Sequence, residues 1–335
     1  MGSGDKERDE GHDPPYHAFS ADLPHGDATV RMDRQILDAS RMLTAGELQA
    51  LVSPGRGMLV ASLRHRGAEL LRRVEDLDGA AAAGKTAAIP LLYPWANRLS
   101  AMRYTAAGRA VVLDPASPLL HWDSRGLPMH GVPWSRLAWQ VLEAMPERIT
   151  ARLDWTSPER LAVFPFPHRV DLAVALGADG LTLETTVSGG SEGPVPVSFG
   201  FHPFLGLPGL GRADWKLTLP AMRKLTLDSR GIPTGVEEPF DGFDAPLGEV
   251  DFDDGFALRG QRAALSIDGA GRRIAVDFLE GFPYAQVFAP KEKEFIALEP
   301  MTAPTDALTT GRGLRFVQPG QLLRTLFRIR VDDTR

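Results

Sequence analysis

Hydrophobic and polar residues alternate along many short segments of this 335-residue chain, and turns rich in glycine or proline separate the segments. In residues 148–155 the alternation places Ile149, Ala151, Leu153 and Trp155 on one face, because successive side chains of a strand point to opposite sides. Segments with the period of an amphipathic helix are nearly absent. The pattern therefore predicts a chain built of β-strands.

Pairs of apolar segments around short turns predict β-hairpins at residues 48–63, 170–187 and 265–278. Residues 76–85, which repeat glycine and alanine, fit either a short helix or a loop. Further strands are predicted at 68–71, 138–142, 216–219, 224–227 and 323–331.

The 34 glycines and 27 prolines interrupt short strands, which is typical of an all-β sandwich or barrel. No repeat of fixed period and no linker composition interrupts the later part of the chain, so residues 28–335 are expected to form a single domain. Residues 1–27 have little apolar content and cannot bury enough surface to offset the entropy of ordering. We therefore predict that they form a disordered tail.

Composition then excludes several kinds of function. The net charge is −6, with 37 Lys and Arg against 43 Asp and Glu, so no basic excess is present to neutralise nucleic-acid phosphates. The chain has no cysteine, which excludes disulfides, thiolate metal sites and cysteine nucleophiles. No apolar run approaches the roughly 18 residues of a membrane helix, and the N-terminus does not read as a signal peptide. We expect a soluble, cytoplasmic protein.

The stretch Phe295–Leu308 contains the first candidate for chemistry. Its four apolar residues, 295–298, predict a short buried strand that Glu299 ends, directly before Pro300. A solvated or helix-capping Glu299 is the ordinary interpretation, because glutamate is rarely buried without a partner. The site interpretation therefore needs a partner from elsewhere in the chain.

Two histidines offer such a partner. His202 follows an apolar run and precedes Pro203, which favours an extended backbone. His130 precedes Gly131, which allows a close backbone approach. A single histidine in the position of His202 is more often a core residue than a catalyst, and the ordinary interpretation of His130 is a loop histidine. The sequence has no His-Glu-x-x-His, Gly-x-Ser-x-Gly, phosphate-binding or dinucleotide-binding motif, so we expect no metal and no cofactor.

Other polar residues stand in aromatic or strand contexts. Asn97 and Arg98 follow Tyr93-Pro-Trp-Ala, and amide and guanidinium donors beside aromatic rings suit a ligand rich in hydroxyl groups. Asp253 precedes Asp254 at a predicted turn, and Gln286 is the polar member of an apolar strand. Each of these observations is weak when taken singly.

Taken in order along the chain, these motifs resemble the aldose 1-epimerase (galactose mutarotase) family. The resemblance runs from about residue 48 to the last strand, and the motifs are Asn-Arg, His-Gly, His-Pro-Phe, Asp-x-x-Phe, a strand Gln, and Glu before a Pro-x-Asp-Ala loop. It implies a large antiparallel β-sandwich (galactose mutarotase-like) whose concave face holds a monosaccharide. It also implies that Glu299 accepts a proton from the anomeric hydroxyl and that His202 donates one to the ring oxygen.

The resemblance further implies a set of ligands for the sugar hydroxyls: Asn97, Arg98, His130, Asp253 and Gln286. The His130 motif departs from the family pattern, since Val132 stands where the family has a second glycine, and Asp254 competes with Asp253 for its role. Interconversion of α and β anomers requires only a base and an acid. An ionised glutamate and a histidine with a pKa near 6.5 supply them.

Two alternatives stay open on the sequence. A hexose-6-phosphate 1-epimerase would use the same chemistry with added cations around a phosphate, for which Arg103, Arg125, Arg136 and Arg169 are candidates. A non-catalytic carbohydrate-binding or regulatory protein would keep the sandwich without turnover. In every case the predicted partner is a small molecule, with neither nucleic acid nor membrane, and the oligomeric state is open.

Overall fold

The computed structural model describes residues 40–334 apart from residues 73, 75 and 84. The prediction of a disordered tail at 1–27 lies outside the described residues. The strands of the first half are β1 Arg41–Ala45, β2 Leu48–Ser53, β3 Leu59–His65, β4 Ala68–Glu69, β5 Leu91–Leu92, β6 Arg103–Ala106, β7 Arg109–Val112, β8 Gln140–Met145, β9 Arg148–Trp155, β10 His168–Gly177, β11 Gly180–Gly189 and β12 Val195–Val197.

The second half continues with strands that carry most of the predicted site. They are β13 Gly200–Phe201, β14 Phe204–Leu205, β15 Lys216–Leu219, β16 Met222–Leu227, β17 Pro233–Phe240, β18 Phe243–Pro246, β19 Phe252–Leu258, β20 Ala263–Gly269, β21 Arg272–Glu280, β22 Tyr284–Ala289, β23 Ile296–Met301, β24 Arg315–Val317 and β25 Leu322–Asp333. The helices of the described chain are short: α1 Leu77–Ala82, α2 Pro158–Val163 and α3 Ala307–Thr310.

Two large antiparallel sheets dominate the fold. One has nine strands in the order β18-β15-β20-β21-β25-β11-β10-β9-β8, and the other has eight, in the order β17-β16-β19-β22-β23-β13-β5 with β14 also paired to β23. A smaller sheet has four strands in the order β1-β2-β3-β4, and two further sheets are the pairs β6-β7 and β12-β24. The architecture confirms the predicted all-β, galactose mutarotase-like β-sandwich.

Aromatic side chains from the two large sheets meet in one core. The ring of Phe201 on β13 lies 5.0 Å from that of Phe327 on β25, measured between centroids. Tyr93, just after β5, packs edge-on against Trp155 of β9 at 5.4 Å. Burial of these large rings contributes a substantial share of the hydrophobic free energy that holds the sheets together.

The alternation read from the sequence is found in the strands. In β9 the residues at 149, 151, 153 and 155 are all buried, as predicted. The hairpins at 170–187 and 265–278 are β10–β11 and β20–β21, each slightly longer than expected. Residues 77–82 of the ambiguous segment form α1, whose first turn is capped by Asp76 accepting from the Gly79 amide at 2.7 Å.

The predicted position of Glu299 was wrong in one respect. Glu299 does not end its strand, because β23 continues through Pro300 to Met301. Proline has no amide hydrogen and is normally excluded from an inner strand. It is accommodated because β23 pairs with β13 only at Met301 and with β14 only at positions 296 and 297, so a gap lies beside Pro300.

Candidate active site

A buried histidine–carboxylate pair occupies the gap between β13 and β14. His202 lies in that break, held extended by Pro203, and its Nε2 is 3.2 Å from Oε1 of Glu299 on β23. The exposed fraction is 6% for His202 and 1% for Glu299. The interruption of one strand therefore brings the two residues predicted as acid and base into direct contact.

Each member of the pair keeps one polar atom without a partner. Among the described residues, His202 Nδ1 and Glu299 Oε2 are buried and make no hydrogen bond. Buried polar atoms of folded proteins are nearly always paired, and an unpaired one costs about 1–3 kcal/mol. Atoms left in this state beside a cavity are suited to bind hydroxyl groups of a ligand.

Burial shifts the pKa of both groups toward their uncharged forms. Desolvation raises the pKa of Glu299 well above its usual value, the Asp253 carboxylate raises it further, and Arg98 opposes the change. Desolvation lowers the pKa of His202 to about 3. The expectation of an independently ionised glutamate beside a histidine with a pKa near 6.5 is therefore wrong, because burial disfavours the charged form of both groups.

Gln286 and Asp253 are brought beside the pair by strand pairing. Gln286 on β22 is directly opposite Glu299 on β23. Its Nε2 donates to Oδ1 of Asp253 on β19 at 2.9 Å. Asp254 instead forms an ion pair with Lys224 at 2.8 Å, so Asp253 is the member of this pair of neighbours that faces the site.

Asn97 and His130 are linked by two hydrogen bonds. The His130 amide donates to the Asn97 carbonyl at 2.9 Å, and the Asn97 amide donates to His130 Nδ1 at 3.2 Å. Both residues have positive φ, 55° and 60°, a region uncommon outside glycine. Because Nδ1 accepts, the neutral ring carries its proton on Nε2, and burial, together with neighbouring His202, lowers the His130 pKa well below its usual value.

Arg98 is fixed by two residues that the sequence reasoning did not single out. Its Nε donates to Asp123 Oδ2 at 2.7 Å. The Asp306 amide donates to the Arg98 carbonyl at 3.1 Å, and Asp306 Oδ1 accepts from the Ser100 amide at 2.8 Å. Asp123 has no sequence signal that links it to Arg98, whereas Asp306 is the aspartate of the Pro-x-Asp-Ala loop.

The seven predicted site residues lie together around two adjoining depressions. The first is narrow and is lined by Asn97, Arg98, Asp253 and Gln286. The second is a cavity of about 470 Å³ whose lining includes His130 and His202. The Asn97–His130 hydrogen bonds join the two depressions. Glu299 lines neither, but it contacts His202 of the second depression and lies opposite Gln286 of the first.

A further group of side chains has the residue types of a metal site. Ligand atoms of Glu47, His65 and Asp333 lie within 4.8 Å of one another. Arg66 already forms ion pairs with both carboxylates at 2.7 Å, and the Arg272 guanidinium donates to His65 Nδ1 at 3.2 Å. The two arginines already neutralise the carboxylates and use a histidine nitrogen that a metal ion could bind. The donor set therefore does not favour a metal ion.

Comparison with solved structures agrees with the fold. The galactose mutarotase-like protein of Clostridium acetobutylicum superposes with a TM-score of 0.74 at 18% identity, covering 88% of this chain and 95% of that one. The GalM/aldose epimerase homologue from C. elegans gives a TM-score of 0.72 at 16% identity, covering 89% and 99%. At these identities the likeness shows a shared galactose mutarotase-like sandwich.

The sequence comparisons define the family. A family model described as aldose 1-epimerase matches residues 43–330. The chain therefore belongs to the aldose 1-epimerase family. The uncharacterized protein YihR of Escherichia coli strain K12 is 24% identical to it over 300 residues, which are 86% of this chain and 91% of that protein.

Proposed function

We propose that this protein is an aldose 1-epimerase that interconverts the α and β anomers of a monosaccharide, with Glu299 and His202 as its catalytic residues. One observation carries the proposal. His202 Nε2 lies 3.2 Å from Glu299 Oε1, and the other polar atom of each side chain is buried without a partner. A base and an acid are thus available together in one buried place.

The reaction needs no group beyond these two. Glu299 takes the proton of the anomeric hydroxyl while His202 gives its proton to the ring oxygen, so the C1–O5 bond breaks as the C1 carbonyl forms. Rotation about C1–C2 then presents the other carbonyl face. On closure O5 attacks C1, His202 recovers the O5 proton and Glu299 returns its proton to the new anomeric oxygen.

The protonation of the pair suits this cycle. Before and after ring opening the pair holds one proton, because His202 gives its proton to O5 as Glu299 takes another from the anomeric hydroxyl, and the net charge of the pair does not change. Burial favours the uncharged arrangement, in which Glu299 holds a proton and His202 is neutral. That arrangement is the one reached when the open-chain sugar is bound, so the site stabilises the ring-opened state.

The remaining site residues are proposed as ligands of the sugar hydroxyls. Asn97, Arg98, Asp253 and Gln286 line one side of the pair, and His130 lies on the other, its ring 5.9 Å from that of His202. Asp123, through its 2.7 Å contact with Arg98 Nε, is proposed as a positioning residue.

The test is Glu299→Gln, which preserves size and removes the base. We expect the anomerisation rate of D-galactose and D-glucose, measured by exchange NMR, to fall by about 10²–10⁴-fold, the usual contribution of a positioned base. Sugar binding, followed by saturation-transfer NMR, should persist. Glu292→Gln, an exposed change in the turn before the same strand, is the matched control. An unchanged rate in Glu299→Gln would refute the mechanism.

A further inference from the structure

The cavity beside His202 is lined by positive charge. Arg72, Lys85 and Lys293 contribute to its walls together with the rings of three histidines, and no Asp or Glu is among the described residues that line it. The chain as a whole carries a net charge of −6, so the cavity has the opposite sign to the molecule. A cavity of this kind concentrates anions.

The three cations have no carboxylate partner in the part of the chain that the structure describes. Arg72 lies just after β4, Lys85 follows α1, and Lys293 is in the turn between β22 and β23. Segments far apart in sequence therefore bring unpaired charge to one place. Like charges gathered in this way repel one another unless a counter-ion binds.

Arg72 is held in place by an aromatic wall. Its guanidinium carbon lies 4.7 Å from the centre of the Phe295 ring and 5.7 Å from that of Phe204. Phe204 in turn stacks on His202, with ring centres 4.1 Å apart. Stacking leaves the edge of the guanidinium and its N–H donors available for an anionic oxygen.

The covalent structure of a hexose relates the position of Arg72 to that of His202, the proposed acid. In the proposed function His202 donates to the ring oxygen O5. C6 is bonded to C5, which is bonded to O5, so the C6 substituent lies on the same side of the sugar as the histidine. The cations of the cavity are therefore near the C6 end of the substrate, away from Gln286 and Asp253.

We infer that the substrate is an aldose bearing an anionic group at C6, a phosphate or a carboxylate, and that Arg72, Lys85 and Lys293 bind this group. The inference rests on the proposed function and specifies its substrate class. The arginines first considered for a phosphate do not line this cavity: Arg169 pairs with Asp154 at 3.2 Å, and Arg136 lines a different depression.

The experiment measures anomer exchange by NMR for glucose 6-phosphate, glucuronate and glucose, with the uncatalysed exchange subtracted. We expect kcat/KM to be at least about tenfold higher for one or both anionic sugars than for glucose, as a charge-assisted hydrogen bond gives. The two anionic sugars distinguish phosphate from carboxylate as the preferred group.

Variants then assign the effect to the cavity. Arg72→Gln and Lys293→Gln should each lower the ratio of kcat/KM for the anionic sugar to that for glucose by about threefold or more, and the double variant by about tenfold or more. Lys291→Gln, an exposed lysine of the same turn as Lys293 that does not line the cavity, should leave the ratio unchanged. Melting temperatures verify that each variant is folded.

Two results would overturn the inference while leaving the proposed function intact. One is equal or better turnover of glucose than of both anionic sugars, and the other is a ratio that stays constant in Arg72→Gln and Lys293→Gln. Failure to accelerate any of the three sugars would overturn the proposed function as well.

Discussion

Two residues of the site, Glu299 and His202, are buried although their side chains ordinarily prefer contact with water. Glu299 and His202 are buried to a degree that ordinarily requires an ion pair or a full set of hydrogen bonds, yet each has an unpaired atom. The sequence singled out both residues, and the five residues proposed as sugar ligands, by the order of short motifs. It gave no indication of Asp123, because a contact between Arg98 and a loop aspartate depends on how that loop folds.

The pair of residues predicts an unusual pH dependence. Activity requires one proton shared by the pair, and burial lowers the His202 pKa to about 3 while raising that of Glu299. The singly protonated state therefore extends below the ordinary range of a glutamate toward the pKa of His202, and kcat/KM for the preferred aldose should not fall as the pH is lowered from about 5.5 to about 4. Initial rates in buffers of constant ionic strength measure it.

The contrasting outcome is a narrow, bell-shaped dependence of kcat/KM on pH. Two solvent-exposed groups with ordinary pKa values near 4.3 and 6.5 would give a maximum near pH 5.5 and a clear loss of rate by about pH 4. Such a profile would show that burial does not control the protonation of Glu299 and His202.

At the scale of strands, local pattern predicted where most elements lie and which neighbours form hairpins, but not how distant strands pair. The alternation in β9 was readable because one face of that strand is buried, and the β20–β21 hairpin was readable as two apolar segments around a short turn. β17 was missed, since nearly all of its residues are exposed and it has no alternation to read. The pairing of β25 with both β11 and β21 joins distant segments, which periodicity does not specify.

The break between β13 and β14 leads to a prediction for Gly200. A β-carbon at this position would lie 2.8 Å from the Pro300 carbonyl oxygen and closer still to the Met301 sulfur, both on the strand of Glu299. Gly200→Ala must therefore displace β23. We expect a loss of kcat/KM of about tenfold or more, with a fall in unfolding free energy of about 1–3 kcal/mol.

Gly211→Ala is the control for this substitution. Gly211 has an ordinary φ of −67°, and nothing lies within 4 Å of the position of an added β-carbon. Rate assays and urea titrations of both variants compare them directly. Full activity in a folded Gly200→Ala variant would mean that the exact placement of Glu299 by β23 is unimportant.

The whole molecule carries an unusual set of uncharged histidines. Burial lowers the pKa of His130 and His202, and it lowers that of His168 in the sandwich core to about 4. His168 Nδ1 donates to the Phe166 carbonyl, so its Nε2 accepts from the hydroxyl of Tyr93. None of the described helices is long and apolar enough to span a membrane.

These groups predict that stability falls in mild acid. Below pH 6.5 the three histidines bind protons in the unfolded chain and not in the folded one, whereas the raised pKa of Glu299 keeps one proton on the folded chain that the unfolded chain loses above about pH 4.5. His65 and His121, whose pKa values burial also lowers, add to the same side. The balance is at least two protons, so the unfolding free energy should decrease by at least about 2–3 kcal/mol per unit as pH falls from 6 to 5.

Urea unfolding at half-unit intervals of pH measures this slope. Glu299→Gln removes the opposing proton, so its slope should be steeper than that of the wild type by about one proton, or ~1.4 kcal/mol per pH unit. A wild-type stability that does not change between pH 6 and pH 5 would contradict the assignment of buried, neutral histidines.

The gap in the sheet beside Pro300 also determines when the catalytic geometry is established. His202 and Glu299 belong to adjacent backbone segments tied into one hydrogen-bonded ladder, with Gln286 on the next strand. Their separation is set when the polypeptide folds, before any sugar arrives. For the proposed reaction, sugar binding then requires no ordering of a loop around the two side chains, because the fold already aligns them.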